Sequence, residues 1–423
     1  METIRIINRL AALLFMLCYG YQLIYTVIGV MSAKSGDRDR RAVSLKRNRY
    51  AVLICARNEE TVIADLIGSI GEQTYPGDLI DTYVIADNCT DGTAEAAWNA
   101  GAEVLVRNDS GKVGKGYALD ALLKHVEEIR PSAYDGYFVF DADNLLAKDY
   151  IEQMDRTFAQ GYEIVTGYRN SKNYGSNWIS AGYALWFIRE SVFLNFPRHL
   201  LGSSCNITGT GFLFSRKIAE EMRGWPYHTL TEDLEFTADQ VTRGRRVAFC
   251  RQAELFDEQP VDMKQSWDQR MRWSRGFLQV FGRYGGRLFR GMAEGSFSCF
   301  DIAMSIMPAF VLSLVSGTTD LILALHSAIS AGDASSVLLT LARPLISTYV
   351  LLFFVGALTL ASEWKRIHTD AVRKIVYLFT FPLFMLTYVP IALASLFVKT
   401  QWKPIRHTFS SDKLKELKIK GAV

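Results

Sequence analysis

Four stretches of the chain carry no charged residue: Leu10 to Met31, Ile302 to Thr319, Pro344 to Ser362 and Ile375 to Val398. Each is close to the roughly 20 residues a helix needs to cross a hydrocarbon core of about 30 Å. Between the first and second lies a charge-rich block, roughly Arg49 to Ser298, where apolar runs are short and end in polar loops. Tyr50–Cys55, Asp81–Ala86, Val104–Val106 and Tyr137–Phe140 read as strands, and Thr61–Ile70 and Ala94–Ala100 as helices, the former with Val62, Leu66 and Ile70 at helical spacing. Strand, polar loop and helix in repetition predict a mostly parallel sheet with helices on both faces. Such sheets bind ligands at the carboxyl ends of their strands. Asp87 and the Asp141–Asp143 pair stand at two of those ends, so the pattern converges them on one cleft.

Bulk composition adds little, because 49% hydrophobic and 22% charged residues with a net charge of +3 would suit a soluble protein of this 423-residue length. Distribution matters more. Leu10–Met31 is long for the apolar part of a secretory signal, and Met31-Ser32-Ala33-Lys34 is a poor cleavage site, so it reads as a retained anchor. Lys34, Arg38, Arg40, Arg41, Lys46, Arg47 and Arg49 follow it directly. By the positive-inside rule they hold the charge-rich block in the cytoplasm. Their abutment on a span argues against nucleic acid as the partner. The six cysteines and six histidines fall at no metal-ligand spacing, so zinc is not expected and the thiols are read as packing residues in a reducing compartment.

Chemistry gathers in a few short motifs. Asp141-Ala142-Asp143, just after a buried strand, sets two carboxylates on one turn, a donor set for a hard cation such as Mg2+ or Mn2+ that would bridge to a diphosphate. An ordinary acidic turn has the same look. Asp87 is the first residue past its strand, although Asp91-Gly92 also gives this loop plain turn chemistry. The stretch Ser110 to Gly116 is rich in Gly and Lys but lacks the Gly-Lys-Ser/Thr of a P-loop. Thr231-Glu232-Asp233 reads equally as a helix start, with Thr231 as N-cap and acids in the first turn. Gln269, Arg272 and Trp273, at i, i+3 and i+4, share one helix face. The flanking Trp267, Arg270 and Arg275 also suit a helix lying on a membrane.

In this order, followed by an apolar tail, the motifs resemble the membrane-bound, inverting family 2 glycosyltransferases, the group containing cellulose, chitin, hyaluronan and poly-N-acetylglucosamine synthases. The motif resemblance covers roughly Tyr50 to Phe277, and it implies a GT-A type fold. It also implies that Asp87 with Ala56, Arg57 and Glu59 bind the nucleotide of a UDP-sugar. Asp143 ligates the metal, with Asp141 shared between metal and donor, and Lys115 lines the donor site. Asp233, beside Glu232, is the base, which inverting transfer needs in order to take the acceptor's proton. Arg272 stabilises departing UDP, and Gln269 and Trp273 hold the acceptor, Trp273 by stacking on a sugar ring. Cys205 to Phe212, with Thr210 and Gly211, resembles the loop under the acceptor, and Trp402 to Thr408, including His407, resembles a tail motif that closes over the site.

The expected organisation is an anchor and basic linker (1–48), a GT-A domain (49–265), interfacial helices with Gln269-x-x-Arg272-Trp273 (266–297), membrane helices (298–398) and a basic tail (399–423). Four spans would put that tail outside, yet its lysines favour the inside, so topology stays open. Asp320, in apolar surroundings, reads as a polymer contact or a boundary residue, and Pro308, Pro344, Pro382 and Pro390 as kink sites. The expected activity is a processive hexosyltransferase building a β-linked polysaccharide on a growing glycan, with accessory export subunits as possible partners. The alternatives are a single addition to a lipid, as in ceramide glucosyltransferases, and a non-catalytic sugar-nucleotide-binding subunit. Cellulose synthases have more spans and an extra domain, which puts a full polymer channel in doubt. Compactness suggests a bacterial cell membrane.

Overall fold

The computed structural model describes residues 2–33, 47–307, 317–319, 321–323, 325–326, 329, 334–398 and 407. Its centre is an eight-stranded sheet in the order β3-β2-β1-β4-β7-β6-β8-β5. The strands are β1 (Tyr50–Ala56), β2 (Ile80–Asp87), β3 (Glu103–Arg107), β4 (Gly136–Asp141), β5 (Leu145–Leu146), β6 (Ile164–Ser171), β7 (Phe212–Ser215) and β8 (Val247–Asp257). The half from β3 to β4 is parallel throughout, as the strand–loop–helix pattern predicts. Beyond β4 the sheet is mixed, with β7 antiparallel to both β4 and β6, and β6 parallel to β8.

Alternation along β1 builds two cores. Ala51 and Leu53 face one cluster, whereas Tyr50, Val52 and Ile54 face the other, as a period of two requires. Helices α3 (Ile63–Gly71), α4 (Thr93–Asn99), α5 (Lys115–Ile129) and α6 (Tyr150–Phe158) connect the first strands. Next come α7 (Trp178–Arg189), a π-helical turn at Glu190–Asn195, α8 (Phe196–Leu200), α9 (Arg216–Met222) and α10 (Glu232–Thr242). Register fixes the site: Ala56 pairs with Ala86, one residue before Asp87, and Cys55 pairs with Asp141, so three strands end at one level.

The described parts of the apolar stretches are almost wholly helical. They comprise α1 (Glu2–Tyr19), α2 (Tyr21–Ala33), α12 (Phe297–Ile306), α13 (Ala334–Ser362), α14 (Ala371–Leu386) and α15 (Tyr388–Phe397). Among the described residues, Ile6–Ser32, Ala342–Ser362 and Ala371–Phe397 are long and apolar enough to cross a membrane. The expected span Ile302–Thr319 is seen only in part, as the short helix α12, and Pro308 and Asp320 lie outside the described residues. Before α12 runs the 31-residue helix α11 (Met263–Ala293), which carries Gln269, Arg272 and Trp273.

Candidate active site

One cavity of about 950 Å³ opens at the carboxyl ends of β1, β2 and β4. Ala56, Arg57, Glu59, Asp87, Lys115, Asp141, Asp143, Glu232, Asp233, Gln269, Arg272 and Trp273 all line it. The loops after β1 and β2 turn at Asn58 (φ 59°) and Asn88 (φ 54°), and asparagine tolerates this left-handed conformation better than most residues. The two loops hold each other: Glu59 N donates to Thr93 Oγ1 (2.8 Å), Thr90 N to Asn58 Oδ1 (2.8 Å) and Gly92 N to Glu60 Oε2 (2.8 Å). Asp87, almost fully buried, is ion-paired with Arg107 from β3. Its oxygens are thereby fixed in place at the cleft edge.

Lys115 opens α5, and its ammonium bridges the two halves of the site. It pairs with Asp141, donates to the Gly209 carbonyl (2.6 Å) and lies 3.9 Å from Glu232. Burial disfavours its charge, but Asp141 and Glu232 more than compensate, so its pKa is raised. Asp233 is the second residue of α10, and burial raises its carboxyl pKa against the pull of Lys115. Burial likewise pushes Glu232 up to about 7. Thr231 stands at the N-cap position but its hydroxyl makes no capping bond. That hydroxyl is instead buried without a hydrogen-bond partner against Gly276 of α11, where a Cβ would come within 2.5 Å of Thr231 Oγ1.

Gly209 marks where the acids converge. A methyl group added there would lie 3.9 Å from Asp141 Oδ2, 4.0 Å from Asp233 Oδ2 and 3.9 Å from an Arg169 nitrogen. Thr208 and Gly209 line the cavity, whereas Thr210 and Gly211 stand behind its wall. Thr210 accepts from Asp141 N (2.9 Å) and bonds Asn144, and the Gly211 carbonyl accepts from Tyr150 Oη (2.9 Å). Both therefore shape the loop from behind. Arg272 also lines the cavity, within electrostatic reach of Glu232, Asp141 and Asp233. Trp273 is held edge-on by Tyr183 (5.8 Å) and Phe187 (5.9 Å).

Several lining residues escaped the sequence reading. Asp257 ends β8 and Arg169 lies in β6. Arg169 donates to Asp257 (2.6 Å) and to the Thr208 carbonyl while stacking on Phe187 (3.7 Å). Burial pushes Asp257 up to about 6 against the opposing pull of Arg169. The signal for Asp257 was available, an acid just past a strand, as at Asp87 and Asp141. His407, by contrast, belongs to the tail motif already named from the sequence: its Nδ1 is 2.9 Å from both Glu59 oxygens and its Nε2 3.9 Å from Asp143. Burial opposes its charge, yet Asp143 and Glu59 push its pKa up to about 10. Residues 402–406 and 408 of the tail motif lie outside the described residues.

The donor set suits a hard cation only in part. Asp143 is held ionised, since His407 and Lys172 outweigh the burial that would neutralise it, and Glu258 N donates to it (2.8 Å). Among the described residues no group of three His, Cys, Asp or Glu side chains forms a closed metal cage. Two carboxylates on one turn, with the rest of the shell left to water and substrate phosphate, is how Mg2+ is usually bound. Asp141 and Asp143 fit that arrangement.

A mixed sheet of this order with an acid-lined cleft at its strand ends defines a GT-A glycosyltransferase domain. The chain belongs to the glycosyltransferase like family 2, which matches residues 47–276. A solved mannosyltransferase from Pyrobaculum calidifontis, in complex with GDP-Man and Mn2+, shares the fold at a TM-score of 0.57 and 17% identity, covering 92% of this chain and 99% of that one. A probable glycosyltransferase of Bacillus subtilis is 28% identical over 57% of this chain and 58% of its own length. A beta-monoglucosyldiacylglycerol synthase of Synechocystis is 25% identical over 56% and 49%, and one of Nostoc 25% identical over 76% and 67%. The chain thus spans about half to two thirds of these relatives.

Proposed function

We propose that the protein is a membrane-embedded, metal-dependent inverting transferase that moves a hexose from a UDP-sugar to a hydroxyl of a membrane lipid. One observation carries this reading. The cavity that begins among Asp87, Asp141 and Asp233 continues to Tyr19, Met304, Met307, Met385, Val389 and Leu393 on the apolar helices. An acceptor with a greasy body and a polar head matches that gradient. The relatives named as lipid glucosyltransferases support it, and their bacterial sources support a bacterial cell membrane.

In this reading Asp87 and the Arg57–Glu59 loop hold the nucleoside, and Asp141, Asp143 and Lys115 hold the diphosphate. Asp233 takes the proton from the acceptor hydroxyl. That oxygen then attacks the anomeric carbon from the face opposite the diphosphate, the carbon–oxygen bond to UDP breaks, and UDP leaves with the electron pair. A divalent cation, when bound, supplies positive charge to the departing diphosphate. Arg272 adds a second, fixed charge on the same side. A β-linked polymer is the second reading, favoured by the Trp273–Tyr183–Phe187 aromatic corner, a platform for a pyranose ring.

Purified full-length protein with Mn2+ or Mg2+, a panel of UDP-hexoses and a lipid extract tests both readings. UDP release with label in a one-sugar lipid is expected, and chelation should stop it. Label in material that runs as a polymer would move the conclusion to the second reading. No UDP release from any donor, with folded protein, would sink both.

A further inference from the structure

The membrane end of the cavity contains a built polar corner that donor chemistry does not use. Asn206 is 8% exposed and lines the cavity, and its side-chain Oδ1 is buried without a hydrogen-bond partner. Its Nδ2 donates to Glu190 Oε1 (3.5 Å), and Glu190 lines the same cavity. The corner is rigidly mounted. Asn195 grips the Asn206 backbone from both sides, accepting from its N–H and donating to its carbonyl, both at 2.9 Å. Glu190 and Asn195 begin and end the π-helical turn, a costly irregularity that recurs at functional sites. Arg198, fully buried, lies 3.4 Å from Glu190 and is itself locked by both oxygens of Asp301 at 2.8 Å.

A buried carbonyl oxygen without a partner is rare in a native fold and calls for a donor from outside the chain. An amide oxygen accepts hydrogen bonds, and with Glu190 already ion-paired to Arg198, Asn206 Oδ1 is left as the acceptor for a hydroxyl group. Their position relative to the chemistry follows from the loop. Gly209, beside Asp233, is three residues on from Asn206, a span of at most about 10 Å even fully extended. We propose that Asn206 and Glu190 form a hydroxyl-recognition subsite that selects a lipid head with a second free hydroxyl beside the one attacked. Such a head is a sugar ring or a glycerol with two free hydroxyls. The proposal deepens the lipid-transferase reading and rests on it.

The test compares four acceptors with purified full-length protein: a monoacylglycerol, a diacylglycerol, a glycosylated diacylglycerol and a polyprenyl phosphate. Wild type should use the two acceptors with several free hydroxyls best. Asn206→Ala should raise KM for these about tenfold, the value of one hydrogen bond to a buried acceptor, and bring their KM close to that for the diacylglycerol. The variant should fold, because the bonds from Asn195 go to the Asn206 backbone, and UDP binding provides that check. Equal use of the diacylglycerol by wild type, best use of the phosphate, or an unchanged preference in Asn206→Ala would overturn the subsite and leave lipid transfer standing. Transfer only to soluble oligosaccharides, unaffected by Asn206→Ala, would overturn both.

Discussion

Asp233 and Glu232 are neighbours in sequence and buried together at a helix start, so their protons come off as a pair. Burial raises both, Glu232 to about 7. Asp233, as the proposed base, must be ionised to act, so kcat/KM should decline with falling pH above the usual aspartate range. Asp233→Asn should lose about 100- to 10,000-fold in turnover, the usual worth of a general base, while UDP binding persists. Stability has the opposite slope. Between 4.5 and about 7 the folded protein holds a proton on Glu232 that the unfolded chain has released. This contribution is full below 4.5 and is lost as pH rises through 7. Glu232→Gln keeps the neutral form at every pH, so its melting temperature should gain on wild type as pH climbs from 5 to 8. These two acids were legible in the sequence because the Thr231-Glu232-Asp233 motif coincides with a helix start. Arg169 was not, because only tertiary contact brings it from β6 to Asp257 at the end of β8.

At the scale of elements, α11 shows what spacing can decide and what it cannot. Gln269, Arg272 and Trp273 share a face, and all three line the cavity. Arg270 looks like Arg272 in sequence but points the other way, fully buried, donating to Thr387 Oγ1 (2.6 Å) and lying over Phe384 (4.5 Å) and Tyr388 (4.9 Å). It pins α11 to the junction of α14 and α15, a structural task that the basic-interface reading missed. Arg270→Ala should therefore cost about 1–3 kcal/mol of stability, read as a lower melting temperature. Arg272→Ala should leave melting unchanged or higher, since burial already disfavours its charge, and should cut turnover. The sheet divides in the same way. Its parallel half was readable from strands that end in acid loops. The half containing β7 was not, because four residues after a glycine-rich loop carry no periodic signal.

For the whole molecule, the open question of sidedness finds an argument in contacts. The segment between α13 and α14 seats on the sheet: Tyr168 Oη (3.2 Å) and Arg251 (3.1 Å) donate to buried Glu363, and Asn170 Nδ2 donates to the Arg366 carbonyl (2.9 Å). Phe384 of α14 fills the space beside Gly182 of α7, where a Cβ would come within 2.4 Å of its ring. Beyond α15, His407 reaches Glu59. Both flanks of Ala371–Phe397 thus meet the catalytic domain, and this apolar stretch should not cross the bilayer despite its length. Epitope tags inserted after Asp370 and appended beyond His407 should be accessible from the same membrane face. Tags on opposite faces would refute this. Hydropathy could not have distinguished the cases, because a helix lying against the domain under lipid is as apolar as one that spans.

His407 also has a temporal consequence. The residue that touches Glu59 and faces Asp143 is translated after Ala371–Phe397, so a nascent chain carries an unfinished cavity until that apolar stretch has been made. In the proposed transferase, that apolar stretch is thus made before the cavity is complete. A transferase of the proposed kind, assembled in that order, would be kept from splitting its donor before a lipid lies within reach.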